Sequence, residues 1–148
     1  MKSKSRIRNA FILALFSVYF LCSCHSNKIE YDLQTNTVYT VEKYPIQELN
    51  INMLKSQKSF WITKIDTLQG SSCIKLDSLG VNYNIVETSN RLPFQNENVK
   101  IPFVPNETYE IYHASIGDAS ACTIYVNTNE RGNTEKVMTK YEYMLSLK

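Results

Sequence analysis

Four cysteines and two histidines are the residues of this chain best suited to chemistry. Cys22 and Cys24 close an apolar N-terminal run, while Cys73 and Cys122 lie in the body of the chain. In an oxidising compartment the latter two could pair. The bridge would close a loop of about fifty residues, worth ~4 kcal/mol in the chain-entropy account. Strand parity sets Cys122 on the face of Ile124 and Val126, and Cys73 on that of Lys75 and Asp77. A Cys73–Cys122 disulfide and a pair of free thiols therefore both stay open. His113 shares a face with Tyr109 and Ile111, the setting of a satisfied core imidazole. No His, Cys or carboxylate cluster has metal-ligand spacing, and the isolated glycines form no phosphate loop. No serine sits in a nucleophile elbow, and no two acids can be placed across one face. The expectation is binding without catalysis, with no cofactor and no metal.

What must position these residues begins with the N-terminus. Lys2, Lys4, Arg6 and Arg8 form a positive start, and Ala10 to Leu21 is an apolar run of about a dozen residues, the pattern of an export signal. A spanning helix needs about 20 apolar residues, and polar residues from Ser23 to Lys28 stop this run. Leu21-Cys22-Ser23-Cys24 resembles the lipobox of bacterial lipoproteins of the Bacteroidota type. The resemblance implies diacylglycerol on the Cys24 thiol, cleavage just before Cys24, and recognition through Leu21 at −3 and Ser23 at −1. It divides the chain into a signal peptide over 1–23, a lipidated tether over 24–36 and one domain over 37–148. Two or three acyl chains, at ~0.8 kcal/mol per buried methylene, make a stable anchor. His25-Ser26-Asn27-Lys28 lacks the acidic run that resembles a surface-export signal, which favours a periplasm-facing protein of the outer membrane.

The formal charge is +2, from 16 basic and 14 acidic residues. Four of the basic residues lie in the signal, so the mature chain carries 12 against 14, a net −2. That argues against a nucleic-acid partner and leaves the anchor as the membrane contact. Ten tyrosines and only four glycines suit a β-rich domain in which asparagines supply turns. Strands are expected over Thr37–Val41, Ile46–Ser56, Ser59–Thr67, Cys73–Leu76, Val81–Ile85, Thr108–Ser115, Ala121–Thr128 and Val137–Leu145, with an edge piece around Val99–Phe103. Within Ile46–Ser56 a helical stripe competes with the strand reading. Short strands at close spacing argue for a sandwich or barrel.

Phe103, Pro105, Tyr109 and Ile111 are spaced as in the approach to the sixth strand of fibronectin type III domains, which this stretch resembles. The resemblance implies an immunoglobulin-like antiparallel β-sandwich. Tyr109 would be its tyrosine corner, bonding back to the backbone, and Trp61 would stand for the family's early-strand tryptophan. Asp66-Thr67-Leu68 and Asp77-Ser78-Leu79 resemble the Bacteroidota O-glycosylation sequon, with Thr67 and Ser78 as acceptors.

The sequence thus predicts an all-β sandwich held on a membrane by lipid, with a protein partner in the envelope. An immunity lipoprotein against a periplasmic toxin and a carbohydrate-binding module are the alternatives. Cys24→Ala or globomycin should block processing and move the protein out of the membrane fraction, read by a gel shift and by fractionation.

Overall fold

The computed structural model describes residues 26–88, 100–115 and 120–148. The expected signal peptide over 1–23, with Leu21 and Ser23, the expected lipidation site Cys24, and His25 lie outside the described residues, as do residues 89–99 and 116–119. Nine strands are described. They are β1 (Ile29–Asp32), β2 (Thr37–Thr40), β3 (Glu48–Met53), β4 (Lys58–Lys64), β5 (Cys73–Lys75), β6 (Tyr83–Glu87), β7 (Thr108–His113), β8 (Cys122–Thr128) and β9 (Thr134–Thr139). A helix, α1 (Lys140–Ser146), follows. Every described pairing is antiparallel, in one sheet of order β1-β2-β5 and another of order β6-β4-β3-β7-β8-β9. The expected all-β sandwich is the fold.

Period-two alternation decides which side chains fill the space between the sheets. Leu49, Ile51 and Met53 of β3 are buried, while Asn50 and Asn52 between them face the other way. That resolves Ile46–Ser56 as a strand. Ile29, Val38 and Ile74 from the small sheet meet Ile51, Ile62, Ile111 and Val126 from the large one in a single core.

Three expectations are corrected. The first concerns residues 24–36, expected to be a tether. Ile29–Asp32 is a strand, because Ile29 and Tyr31 alternate with Glu30 and close the core when paired to β2. The second concerns Val137–Leu145, which is not one strand. β9 stops at Thr139, whose side chain caps α1 by accepting from the Glu142 amide, while Glu142 returns a bond to the Thr139 amide. This Thr-x-x-Glu capping box was present in the sequence but lay inside an alternating pattern. The third concerns the piece around Val99–Phe103. Residues 100–103 form no strand, although Ile101 is buried, since Pro102 has no amide to give a ladder.

Turns are made with few glycines. Asn36 and Asn106 take positive φ, as asparagine tolerates, and Lys43 and Gln57 do so as well. Gly132, at φ +79°, has no substitute: a Cβ there would lie 2.9 Å from the Phe103 carbonyl oxygen.

Glu107 is the main polar stitch of the core. It is 2% exposed. Its carboxylate accepts from the Lys55 and Ser56 amides at 2.9 Å, the Thr108 amide at 2.8 Å and the Ser56 hydroxyl. The β3–β4 turn is thereby tied to the start of β7. Burial pushes the Glu107 pKa up, but the Ser56 hydroxyl and the three amides outweigh it and hold it below the ordinary carboxylate range. A depressed folded-state pKa adds stability above the unfolded value and loses it as pH falls through the folded one. Glu107→Gln should therefore cost ~1–3 kcal/mol at neutral pH. The gap to the wild type should narrow in acid below the ordinary carboxylate range, as followed by thermal melts across pH.

Candidate functional site

Strand register assembles a row of side chains on the outer face of the large sheet, the face turned away from the core. Asn50 on β3 pairs with Trp61 of β4 on one side and Tyr112 of β7 on the other. Val86 of β6 pairs with Trp61, and Thr123 of β8 with Tyr112, so the row runs across five strands. Trp61 and Tyr112 are 42% and 37% exposed, unusual for aromatics of central strands. Two strand spacings put their backbones about 9.5 Å apart, with the Asn50 amide between them.

The neighbouring row is locked by hydrogen bonds. Asn52 donates to Glu110 Oε2 at 2.9 Å, and the Tyr125 hydroxyl donates to Glu110 Oε1 at 2.7 Å. Tyr143 of α1 stacks on Tyr125, with ring centroids 4.1 Å apart and planes inclined by 11°. Burial, then the Glu110 carboxylate, push the Tyr125 hydroxyl up to about 12. It stays protonated and holds Glu110 at any ordinary pH. Glu110 is thus fixed beside Tyr112 as a preorganised acceptor. The surface offers two aromatic faces, an amide and an oriented carboxylate.

A second feature is an open polar depression of about 510 Å³ at the β8–β9 turn, lined by Asn106, Asn129, Glu130, Arg131, Asn133 and Glu135. Its shape comes from the turn itself: Asn129 Oδ1 accepts from the Arg131 and Asn133 amides. Among the described residues no group of three or more His, Cys, Asp or Glu side chains could hold a metal ion.

The residues singled out in the sequence fall in separate places. Tyr109 is 1% exposed, and its hydroxyl donates to the Pro102 carbonyl at 2.5 Å and accepts from the Val104 amide at 2.8 Å. That is the backbone-pinning geometry expected of it, and Ile111 faces the core. Trp61 is not a core residue: it alternates with buried Phe60 and Ile62 and points outward. The Cys73–Cys122 bridge is not formed, and both thiols are free. Parity explains it, since Cys73 is exposed on the small sheet while Cys122 packs against the core from the large one. Thr67 lies on an exposed turn after β4, and Ser78 is exposed just after β5.

His113 is buried, and its Nδ1 donates to the Asn27 carbonyl at 2.9 Å. Asn27 went unmarked in the sequence. It is 3% exposed, accepts from the Ser115 hydroxyl at 2.8 Å, and donates through its amide to the Ser120 carbonyl. The Trp61–Asn50–Tyr112 row also went unseen as a unit. Its signal was present strand by strand, as polar or aromatic residues alternating with Leu49, Ile51, Phe60, Ile62 and Ile111.

Comparison of the chain with protein-family models, with curated proteins and with solved structures finds no match. The arrangement of side chains is therefore the ground for a functional reading. In a Cys22→Ser, Cys24→Ser variant, both Cys73 and Cys122 should react with maleimide once the protein is unfolded without reductant, giving two added labels by mass. Reductant should leave the melting temperature unchanged.

Proposed function

We propose that this chain is a lipid-anchored envelope protein that faces the periplasm and works by binding, without catalysis. The anchor is Cys24, argued from the lipobox resemblance. The observation that supports binding is the outward Trp61–Asn50–Tyr112 row on a sheet whose opposite face is core. Exposed tryptophan and tyrosine are the side chains that most often carry binding energy at interfaces, and a packed sheet presents them with little ordering cost. A protein partner in the envelope fits this reading best. It meets the two rings and finds Glu110 already oriented as an acceptor.

A carbohydrate is the second reading, favoured by two exposed aromatic residues set two strands apart and by the polar groups between and beside them. Sugar rings stack on aromatic faces while their hydroxyls bond to amides and carboxylates, and Trp61, Asn50, Tyr112 and Glu110 offer these. Tyr125 plays no part as a platform, because α1 covers it and leaves it 4% exposed.

The test is a pair of truncations on the face. Trp61→Ala and Tyr112→Ala should each weaken binding by ~2 kcal/mol, about thirtyfold, with little change in melting temperature. The ligand is the envelope protein found by site-specific crosslinking at position 63, on the same face. Crosslinking that yields no defined partner, together with signal on a glycan array that both truncations abolish, selects the carbohydrate reading. The absence of both a crosslinked partner and a glycan signal would remove the face as a binding site.

A further inference from the structure

We propose that one end of the sandwich rests on the lipid headgroups, so that the domain stands on the membrane with no flexible stalk. This rests on lipidation of Cys24 and adds a contact surface and its partner.

The first ground is chain length. Asn27 is held at 3% exposure by bonds to His113, Ser115 and Ser120. The next residue but one, Ile29, begins β1. Between Cys24 and Asn27 lie only His25 and Ser26. Three residue steps reach about 11 Å even when fully extended. A lipid on Cys24 therefore brings the residues around Asn27 to the bilayer surface.

The second ground is what else lies at that end. The turn after β2 is placed there by the Val41 amide, which donates to the Lys28 carbonyl at 3.1 Å, and by the Ser26 amide, which donates to Glu42 Oε2 at 3.2 Å. The turn carries exposed Val41 and Tyr44. The turns after β4 and before β6 join it, tied together by the Ile65 amide to the Asn82 carbonyl and the Asn82 side chain to the Gln69 carbonyl. They carry Leu68 and Val81, the latter 88% exposed. Register fixes this shared end, since Lys64 pairs with Tyr83, Ile29 with Thr40 and His113 with Cys122.

The opposite end shows the reverse. Its turns present Lys55, Gln57, Asn106, Glu130 and Arg131, and no exposed large hydrophobic among the described residues. Single exposed apolar residues are ordinary, and others lie on the sheet strands (Tyr39, Trp61, Tyr112) and on or just after α1 (Tyr141, Met144, Leu145, Leu147). Between the two ends of the sandwich, however, the contrast is one-sided, with Val41, Tyr44, Leu68 and Val81 all at the end that receives the anchor. Among the described residues Lys28, Lys43 and Lys64 are balanced there by Glu42, Glu48 and Asp66, so the contact does not call for anionic lipid. Aliphatic side chains with a tyrosine suit the boundary between headgroups and acyl chains. In this pose the Trp61–Tyr112 row lies on a side wall, and the depression beside Arg131 points away from the membrane.

The experiment uses the processed, lipidated protein in phosphatidylcholine vesicles with brominated acyl chains. In a Trp61→Phe background, single tryptophans are placed by Tyr44→Trp, Val81→Trp and Arg131→Trp, all at exposed positions. Tryptophans 44 and 81 should lose about half of their emission to the brominated chains, and tryptophan 131 almost none, given the shallow depth of interfacial side chains. Mass spectrometry of the N-terminal peptide is read on the same samples. A lipidated Cys24 with tryptophans 44 and 81 unquenched overturns the resting surface and leaves the anchor standing. An unmodified Cys24, still preceded by its leader, overturns both.

Discussion

Two sheets that share no strand must be held together by their packed faces and by bonds across their ends. In this molecule the end bonds are few and specific. At one end the Asn27 carbonyl accepts from His113, and its side chain reaches Ser115 and Ser120, which ties the start of the small sheet to the β7–β8 hairpin. Nearby, the Tyr83 hydroxyl accepts from the Ser71 amide at 2.7 Å and lies 3.1 Å from the Ile46 carbonyl and 3.0 Å from that of Ser71. At the other end the Thr134 hydroxyl donates across to Asn36 Oδ1 at 2.8 Å and lies 3.2 Å from the Leu33 carbonyl. Between these clasps the core is mainly aliphatic, with Tyr31, Phe60 and Tyr109 among its side chains. The polar bonds add little net energy each but set how one sheet lies over the other.

That constraint bears on function through rigidity. A three-stranded sheet clasped at both ends backs the large sheet and keeps its outer face fixed. Glu107 and Tyr109 act in the same way on the irregular chain before β7, one gathering amides from the β3–β4 turn and the other pinning Pro102 and Val104. The outer row is thus backed by packed structure on its core side. Tyr125 and Glu110 show this locally, because the helix that covers the tyrosine also fixes the carboxylate.

The N-terminal segment has the length and polarity of a tether, yet it is consumed almost at once by β1. Under the proposed anchoring at Cys24, a domain attached this closely would not reach far from its point of attachment, and a partner would have to come to it.

Much of this was legible in the chain. Alternation alone placed most strands and the core positions Leu49, Ile51, Ile62, Ile111 and Val126, because a half-buried sheet imposes a period of two on whatever sequence forms it. The same parity separated Cys73 from Cys122 and turned His113 inward. The resemblance carried by Phe103, Pro105 and Tyr109 implied the bonds to the backbone that Tyr109 makes. What depended on tertiary structure was which strand lies beside which. Asn50, Trp61 and Tyr112 are scattered along the sequence and become one surface only when β3 takes β4 and β7 as neighbours, a choice made by long-range packing. The short strand β1 was likewise decided by contact, through the core it closes, whereas α1 starts at a capping box that local sequence carries and only the fold brings its Tyr143 onto the Tyr125 ring.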